Sequence, residues 1–169
     1  MNPTQLSEEL RYGQSPDMNR RRWIIGLSLV GVALGQIVTL YQTGIIHHLP
    51  DPPVGPFDSD KVDASDYAYK RLQTPDAVGM ISTYGITTAL AAAGGVNRAV
   101  DNPALPISLL AKTLGDVATN LTLAKEEWKE NKALCFYCQM ATVASVATVA
   151  LAVPEAVTAV KNLLGKKKG

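Results

Sequence analysis

From Trp23 to Leu49 the chain carries no Asp, Glu, Lys or Arg, and this run constrains its fold more than any other feature. The centre of the run, Trp23–Tyr41, reads WIIGLSLVGVALGQIVTLY, with Gln36 its strongest polar interruption. Its 19 residues nearly cross a hydrocarbon layer of roughly 30 Å at about 1.5 Å rise per residue. Arg20, Arg21 and Arg22 stand directly before it, and Trp23 and Tyr41 mark its ends, where interfacial aromatics are expected. A cleaved signal peptide is the competing reading. Its apolar region would be shorter, and no A-x-A-type site follows in the exit Gly44-Ile45-Ile46-His47-His48-Leu49-Pro50. The expectation is a retained membrane helix.

Three further apolar runs follow. Ala77–Asn97 is free of charge and rich in Ala, Gly and Thr, the small residues that let membrane helices approach closely. Leu105–Ala124 is weaker, because Lys112 and Asp116 interrupt it; Ala133–Val153 is again uncharged and ends at Pro154-Glu155. Soluble helices would show polar faces, and the first, second and fourth runs show none. The expected architecture is all-α: an integral membrane four-helix bundle with one long extramembrane loop, Thr43–Gln73, between the first two helices. Residues 1–21 form an N-terminal tail, 22–153 the membrane domain and 154–169 a basic tail. A mean hydropathy of +0.06 would suit a soluble protein only because it averages these runs with charged flanks. A net charge of +1 leaves no basic field for nucleic acid.

An even number of spans puts both ends on one side. That side carries Arg11, Arg20, Arg21, Arg22, Arg98, Lys161, Lys166, Lys167 and Lys168. The other has Lys61, Lys70, Arg71, Lys125, Lys129 and Lys132, diluted by the acids of the loop and of the 126–132 turn. The excess next to the first and fourth spans places both termini in the cytoplasm. The terminal lysines then serve as a topology anchor against membrane lipid.

The Thr43–Gln73 loop opens on His47-His48 and on Leu49-Pro50-Asp51-Pro52-Pro53, where prolines forbid helix. The segment Asp58-Ser59-Asp60 with later acids has the look of a calcium loop, but it lacks both the turn glycine and the twelfth-position Glu. The paired histidines lie far in sequence from the only thiols, so an interfacial role outweighs a metal site. The loop acids Asp51, Asp58, Asp60, Asp63 and Asp66 read as a solvated face rather than a docking patch.

Cys135-Phe136-Tyr137-Cys138 is the one unit with evident redox chemistry. Its spacing excludes a disulfide scaffold and puts both sulfurs within one helical turn, suited to an exchangeable disulfide. At a helix N-terminus the dipole is expected to lower the thiolate pKa. The topology sets the pair at the exterior end of the fourth span. In the third span Lys112 and Asp116 lie four apart on one face, which Asn120 continues. Charge at membrane depth is costly, so this face is either an internal Lys112–Asp116 pair or a contact to a ligand or a neighbouring subunit.

These features together resemble the vitamin K epoxide reductase family and its bacterial relatives, over about Arg22 to Leu151. Ala133-Leu134-Cys135-Phe136-Tyr137-Cys138-Gln139 resembles the family's catalytic segment. Ser59-Asp60-Lys61-Val62, Ser65-Asp66-Tyr67-Ala68 and Thr74-Pro75-Asp76-Ala77-Val78-Gly79 resemble its Cys-Asp-x-Val, Ser-x-Tyr-Ala and Ile-Pro-x-Ala-x-x-Gly segments in order. The resemblance implies a membrane protein, here of the bacterial inner membrane, with the CxxC near the periplasmic face. It implies a quinone of ubiquinone or menaquinone type inside the bundle. Cys138 would face that quinone and Cys135 would exchange with a thiol relay. Ser65 matches a loop serine near the quinone pocket, and Tyr137, Asp116 and Asn120 join the candidate pocket residues.

One departure stands out. Where the family has its second loop cysteine this chain has Ser59, and the loop holds no cysteine at all. Two function classes therefore stand side by side. The first is a quinone-linked thiol/disulfide oxidoreductase fed directly by a partner's thiols. The second is a non-catalytic quinone- or lipid-binding subunit of a larger membrane complex.

Overall fold

The computed structural model describes residues 2–71 and 73–166, the side chain of Lys166 excepted. Helix α1 (Pro3–Tyr12) is started by Asn2, whose side chain accepts the Gln5 N–H. Helix α2 (Pro16–Gln42) starts where Ser15 accepts the Met18 N–H and Pro16 takes the first position, seven residues before the expected Trp23. The loop then folds two short helices, α3 (Ser59–Asp63) and α4 (Asp66–Tyr69). Helix α5 (Asp76–Ala92) is followed by the single turn α6 (Arg98–Asp101), by α7 (Ala104–Asn131) and by α8 (Phe136–Lys166). Among the described residues the only β-type pairing is an isolated parallel bridge between Phe57 and Leu134.

The helix bounds depart from the sequence reading in two places. The second run stops as a helix at Ala92 rather than Asn97, because Gly94 turns the chain at φ +78°. The fourth does not end at Pro154-Glu155. It continues to Lys166, so the 154–169 tail begins as helix. Proline removes one intrahelical hydrogen bond. Here Glu155 compensates by pairing, fully buried, with Arg98 across to α6 at 2.7 and 2.8 Å.

The long helices pack as neighbours, α2 against α5 and α8, and α7 against α8 and α5. Their contacts run inside out. Helix α2 buries Ser28, Gly31 and Gly35 while Leu29, Val30, Ile37 and Leu40 face outward. Helix α8 buries Ala141, Ala144, Ser145, Thr148 and Ala152 and exposes Val143, Val146, Val153, Val157 and Val160. Small and polar groups inside with large apolar ones outside is what lipid-embedded helices require. Gly31 is needed there, since a Cβ would sit 2.6 Å from the Tyr84 ring. By length and composition α2 and α8, the latter over Phe136–Gly165, are able to cross a membrane; α5 and α7 do not meet the same test.

Two arginines used in the orientation argument are not free surface charge. Arg21 and Arg98 are 2% and 1% exposed. Arg21 donates to the carbonyls of Ala91, Ala92, Ala93, Gly94 and Gly95, and Arg98 to those of Leu90, Ala91 and Ala93. They satisfy the carbonyls left open at the C-terminus of α5. Lys167, Lys168 and the side chain of Lys166 lie outside the described residues.

Candidate functional site

The site forms where the loop between α2 and α5 closes over the start of α8. Leu134 N–H donates to Pro56 O at 2.9 Å and Asp58 N–H to Leu134 O at 3.1 Å, clamping the strand-like stretch before the cysteines. Phe57 and Phe136 meet edge to face at 5.4 Å between centroids. Asp58 caps α3 by accepting the Lys61 N–H, and α3 brings Ser59 and Asp63 onto one face, four residues apart.

Ser59, the residue in place of a loop cysteine, is fully buried. Its Oγ donates to Asp51 Oδ1 at 2.6 Å and accepts the Phe136 N–H at 2.9 Å. Its own N–H donates to Asp51 Oδ2 at 2.6 Å. A loop serine thus supplies the cap of α8 from another part of the chain, at the residue following Cys135. The histidines play no part in this: His48 pairs with Asp60 at 2.6 Å on the exposed rim.

Both cysteines are free thiols. Cys135 is 0% exposed, and its Sγ accepts the Cys138 N–H at 3.2 Å. Its own N–H donates to Glu127 Oε2 at 3.3 Å, and Gln139 Nε2 donates to the same oxygen at 3.4 Å. Asp63, 2% exposed, lies beside the pair. A carboxylate oxygen of Asp63 and the two sulfurs fall within 4.8 Å of one another, and Asp63 Oδ2 is buried without a hydrogen-bond partner. Among the described residues no other His, Cys, Asp or Glu joins this set. Three donors are one fewer than a closed zinc site takes, so the set does not amount to a metal centre on its own.

The electrostatics reverse one expectation. The Cys135 thiol is raised, not lowered: burial comes first, the contact with Cys138 opposes it, and the Asp63 charge adds to the rise. Loss of solvation is the leading cause of the rise. Burial also pushes Asp63 up to about 8, with Cys135 pulling back and Asp76, Glu127 and Asp51 adding to the rise. Glu127 is raised to about 7, again by burial first, with the Cys135 N–H opposing.

A cavity of about 350 Å³ lies between α5, α7 and α8 under the loop. Cys138, Asp76, Thr83, Asp116, Asn120 and Glu127 all line it. Lys112 reaches inward to pair with Asp116 at 2.6 Å and also donates to Thr83 O and Thr87 Oγ1, so the internal pair is formed and faces α5. Asn120 Nδ2 donates to Ser145 Oγ at 3.2 Å. Arg71, at the rim, pairs with Glu126, and Lys70 pairs with Glu130 at 2.5 Å, fastening the loop to the end of α7.

Of the expected site residues, the structure brings Cys138, Asp116 and Asn120 to this cavity and sets Cys135 behind Cys138. It does not bring the other two there. Ser65 donates to Val62 O at 2.6 Å in the turn between α3 and α4, and Tyr137 OH donates to Pro50 O at 3.0 Å on the outer side. Two residues absent from the sequence reading of the site, Asp63 and Glu127, lie against the thiols. The Ser59/Asp63 spacing was the available signal for the first: one helical turn links the relay position to a carboxylate.

The fold and site define a class, an all-helical protein with membrane-length helices and a dithiol set over a cavity at the start of one of them. The family model described as vitamin K epoxide reductase family matches residues 22–153, and the chain belongs to that family. Members of the family are membrane thiol and quinone oxidoreductases. Neither a search of curated proteins nor one of solved structures gives a match.

Proposed function

We propose that the chain is a quinone-linked thiol oxidoreductase whose α2, α5, α7 and α8 together span a membrane. The carrying observation is the unequal placement of the two thiols, Cys138 on the cavity and Cys135 sealed behind it. In this reading residues 1–21 and the basic tail 154–169 are cytoplasmic. The CxxC lies near the periplasmic face of a bacterial inner membrane, and 22–153 is the working domain.

The cavity supports the acceptor assignment. Its size falls within the range of small-molecule pockets. Its walls combine apolar stretches with Asp116 and Asn120, and the second N–H of the Asn120 amide is a donor that can orient a carbonyl oxygen. A quinone of ubiquinone or menaquinone type, when bound, takes up two electrons and two protons and becomes the hydroquinone. The chain supplies both: closing one S–S bond between Cys138 and Cys135 breaks two S–H bonds and frees two electrons and two protons. Cys138 is the thiol that meets the acceptor and Cys135 the one that closes the disulfide. Ser65 and Tyr137 act outside the pocket in this scheme, as tethers of the loop.

The test is a thiol count on the reduced protein in detergent, before and after addition of a water-soluble quinone. Two thiols lost per chain with one hydroquinone formed is the expected result, abolished by Cys138→Ser. Thiols that remain reduced would sink the enzyme reading. They would leave the second one, a non-catalytic quinone- or lipid-binding subunit of a larger complex, which the bonding of Ser59 in the relay position favours.

A further inference from the structure

The carboxylate of Asp63 has no structural task in sight. It caps no helix, pairs with no cation, and leaves Oδ2 buried and unpartnered beside two thiols. Burying such a group without a partner is costly, so its surroundings point to a role in chemistry. From this geometry we propose that Asp63 is the proton acceptor for Cys135 when the Cys135–Cys138 bond closes; the proposal rests on the thiol-oxidoreductase reading above.

The reasoning begins from what Cys135 lacks. Its sulfur is fully buried, and burial leads the causes that raise its thiol, with the Asp63 charge adding to it. A thiol must lose its proton before it can attack another sulfur. The neighbouring groups that could take the proton are few. On α7, Glu127 already accepts the Cys135 and Gln139 N–H groups. At the head of α5, Asp76 accepts from Gln42. In the loop, Asp51 holds Ser59 twice. Tyr41 of α2 donates its hydroxyl to Asp60 O, and Tyr69 of α4, raised by burial first, donates to Gln42 O, so neither offers a base. Among the described residues, Asp63 Oδ2 is the one fully buried carboxylate oxygen without a hydrogen-bond partner. Once formed, the Cys135 thiolate is held by the Cys138 N–H, which already points at Sγ.

The step balances on a defined oxidant. With dipyridyl disulfide, the Cys138 thiolate attacks one probe sulfur, the probe S–S bond breaks, and one thiopyridone leaves. Cys135 then gives its proton to Asp63 and attacks Cys138 Sγ. The Cys135–Cys138 bond forms, the mixed disulfide breaks, and a second thiopyridone leaves with the electron pair. The two thiols are oxidised and the probe is reduced. Asp63 returns its proton to the leaving group or to water.

The experiment follows the two thiopyridone releases separately in full-length reduced protein in detergent, between pH 6 and 9. In the wild type the second release is expected to rise with pH with an inflection near 8, where Asp63 is half ionised, and to level off above it. Asp63→Asn is expected to slow that release by about a hundredfold at pH 8.5, the scale of general-base assistance. It does not slow the first release, since the lost Asp63 charge also raised the Cys138 thiol, so the mixed disulfide accumulates and is seen by mass. Asp63→Glu restores part of the rate, and Glu127→Gln keeps an inflection but moves it below 8, because the Glu127 charge no longer raises Asp63. Equal slowing of both releases, or an Asp63→Asn profile like the wild type, overturns the proposal. So does a difference that a metal chelator abolishes. Should Asp63→Asn fail to fold, a wild-type second release with no inflection near 8 overturns it alone. A wild-type pair that reacts with the probe but never with quinone refutes the quinone reading and leaves the Asp63 result standing.

Discussion

Replacing Ser59 with alanine separates a lost relay residue from a gained structural one. The Oγ makes two bonds in a fully buried position, one to the Asp51 carboxylate and one from the Phe136 N–H. A hydrogen bond to a charged group contributes about 1.5–3 kcal/mol. Loss of a helix cap costs about 0.5–2 kcal/mol. The bonds share one atom and Asp51 keeps the Ser59 N–H, so the losses overlap, and the expected total is about 2–4 kcal/mol. For a chain of this size that corresponds to roughly 4–16 °C in apparent melting temperature. The assay is thermal unfolding in detergent, paired with the rate of Cys135 alkylation. Because the cap lies at the residue after Cys135, the variant is expected to open that thiol to reagent as well as melt earlier. A loss below about 0.5 kcal/mol with unchanged alkylation would refute the latch.

Other outcomes follow from the same contacts. The S59C variant, kept reduced and then air-oxidised, is expected to trap its new thiol with Cys135, readable as a mass loss of two hydrogens in the peptide pair spanning 59 and 135. Arg98→Ala leaves Glu155 buried and unpaired and takes the side-chain donor from Leu90 O, while Arg21 still holds Ala91 and Ala93, a loss of about 3–5 kcal/mol. Arg98→Ala with Glu155→Leu should recover part of it in a melting series. Gly31→Ala sets a methyl against the Tyr84 ring and should cost about 1–3 kcal/mol by overpacking, measured the same way. Stability should also fall from pH 4 to 8. Asp63 and Glu127 hold folded values of about 8 and about 7, above their ordinary 3.8 and 4.5, so the folded chain keeps protons that the unfolded chain releases. That contribution is complete below pH 4 and gone above 8. Asp63→Asn is expected to remove about 1.4 kcal/mol per pH unit of slope from denaturant titrations across the window.

The parts of this protein legible in its sequence are those set by composition along a single element. Two charge-free runs became α2 and α8, and CxxC fell at the start of α8 as its position implied. The Lys112–Asp116 spacing gave an internal pair. Features decided between elements were not legible. That α8 runs on past Pro154, with Glu155 paired to a residue 57 positions away, was not visible. Arg21 and Arg98 look like topology charges in sequence, yet they spend their donors on the open carbonyls of α5. Asp63 looks like one more acid in a solvated loop, and only the folding of α3 onto α8 shows it buried. The thiol pKa went the wrong way for the same reason, since a helix dipole is visible in sequence and desolvation is not.

The missing loop cysteines and the sealed Cys135 bear on one another. A relay cysteine at position 59 would stand beside Cys135 and reach it from the loop side; Ser59 cannot exchange, and the Phe57–Phe136 contact with the Leu134 bridge closes that side. In the proposed thiol-oxidoreductase reading, electrons then have one open door, Cys138 at the cavity, for both delivery and removal. Donor and quinone would compete for the same opening unless the loop lifts. Lifting requires parting Lys70 from Glu130 and Arg71 from Glu126, pairs exposed enough that each contributes about 1 kcal/mol or less. The loop clamp at α8 joins two backbone bonds at Leu134, the Phe57–Phe136 contact and the bonds of buried Ser59, so more must part there at once. A dithiol donor is therefore expected to enter by the Arg71 rim, and reduction of the oxidised pair should be competitively slowed by a bound quinone analogue. Non-competitive behaviour would mean that the donor reaches Cys135 through the loop, and that the Ser59 latch opens during turnover.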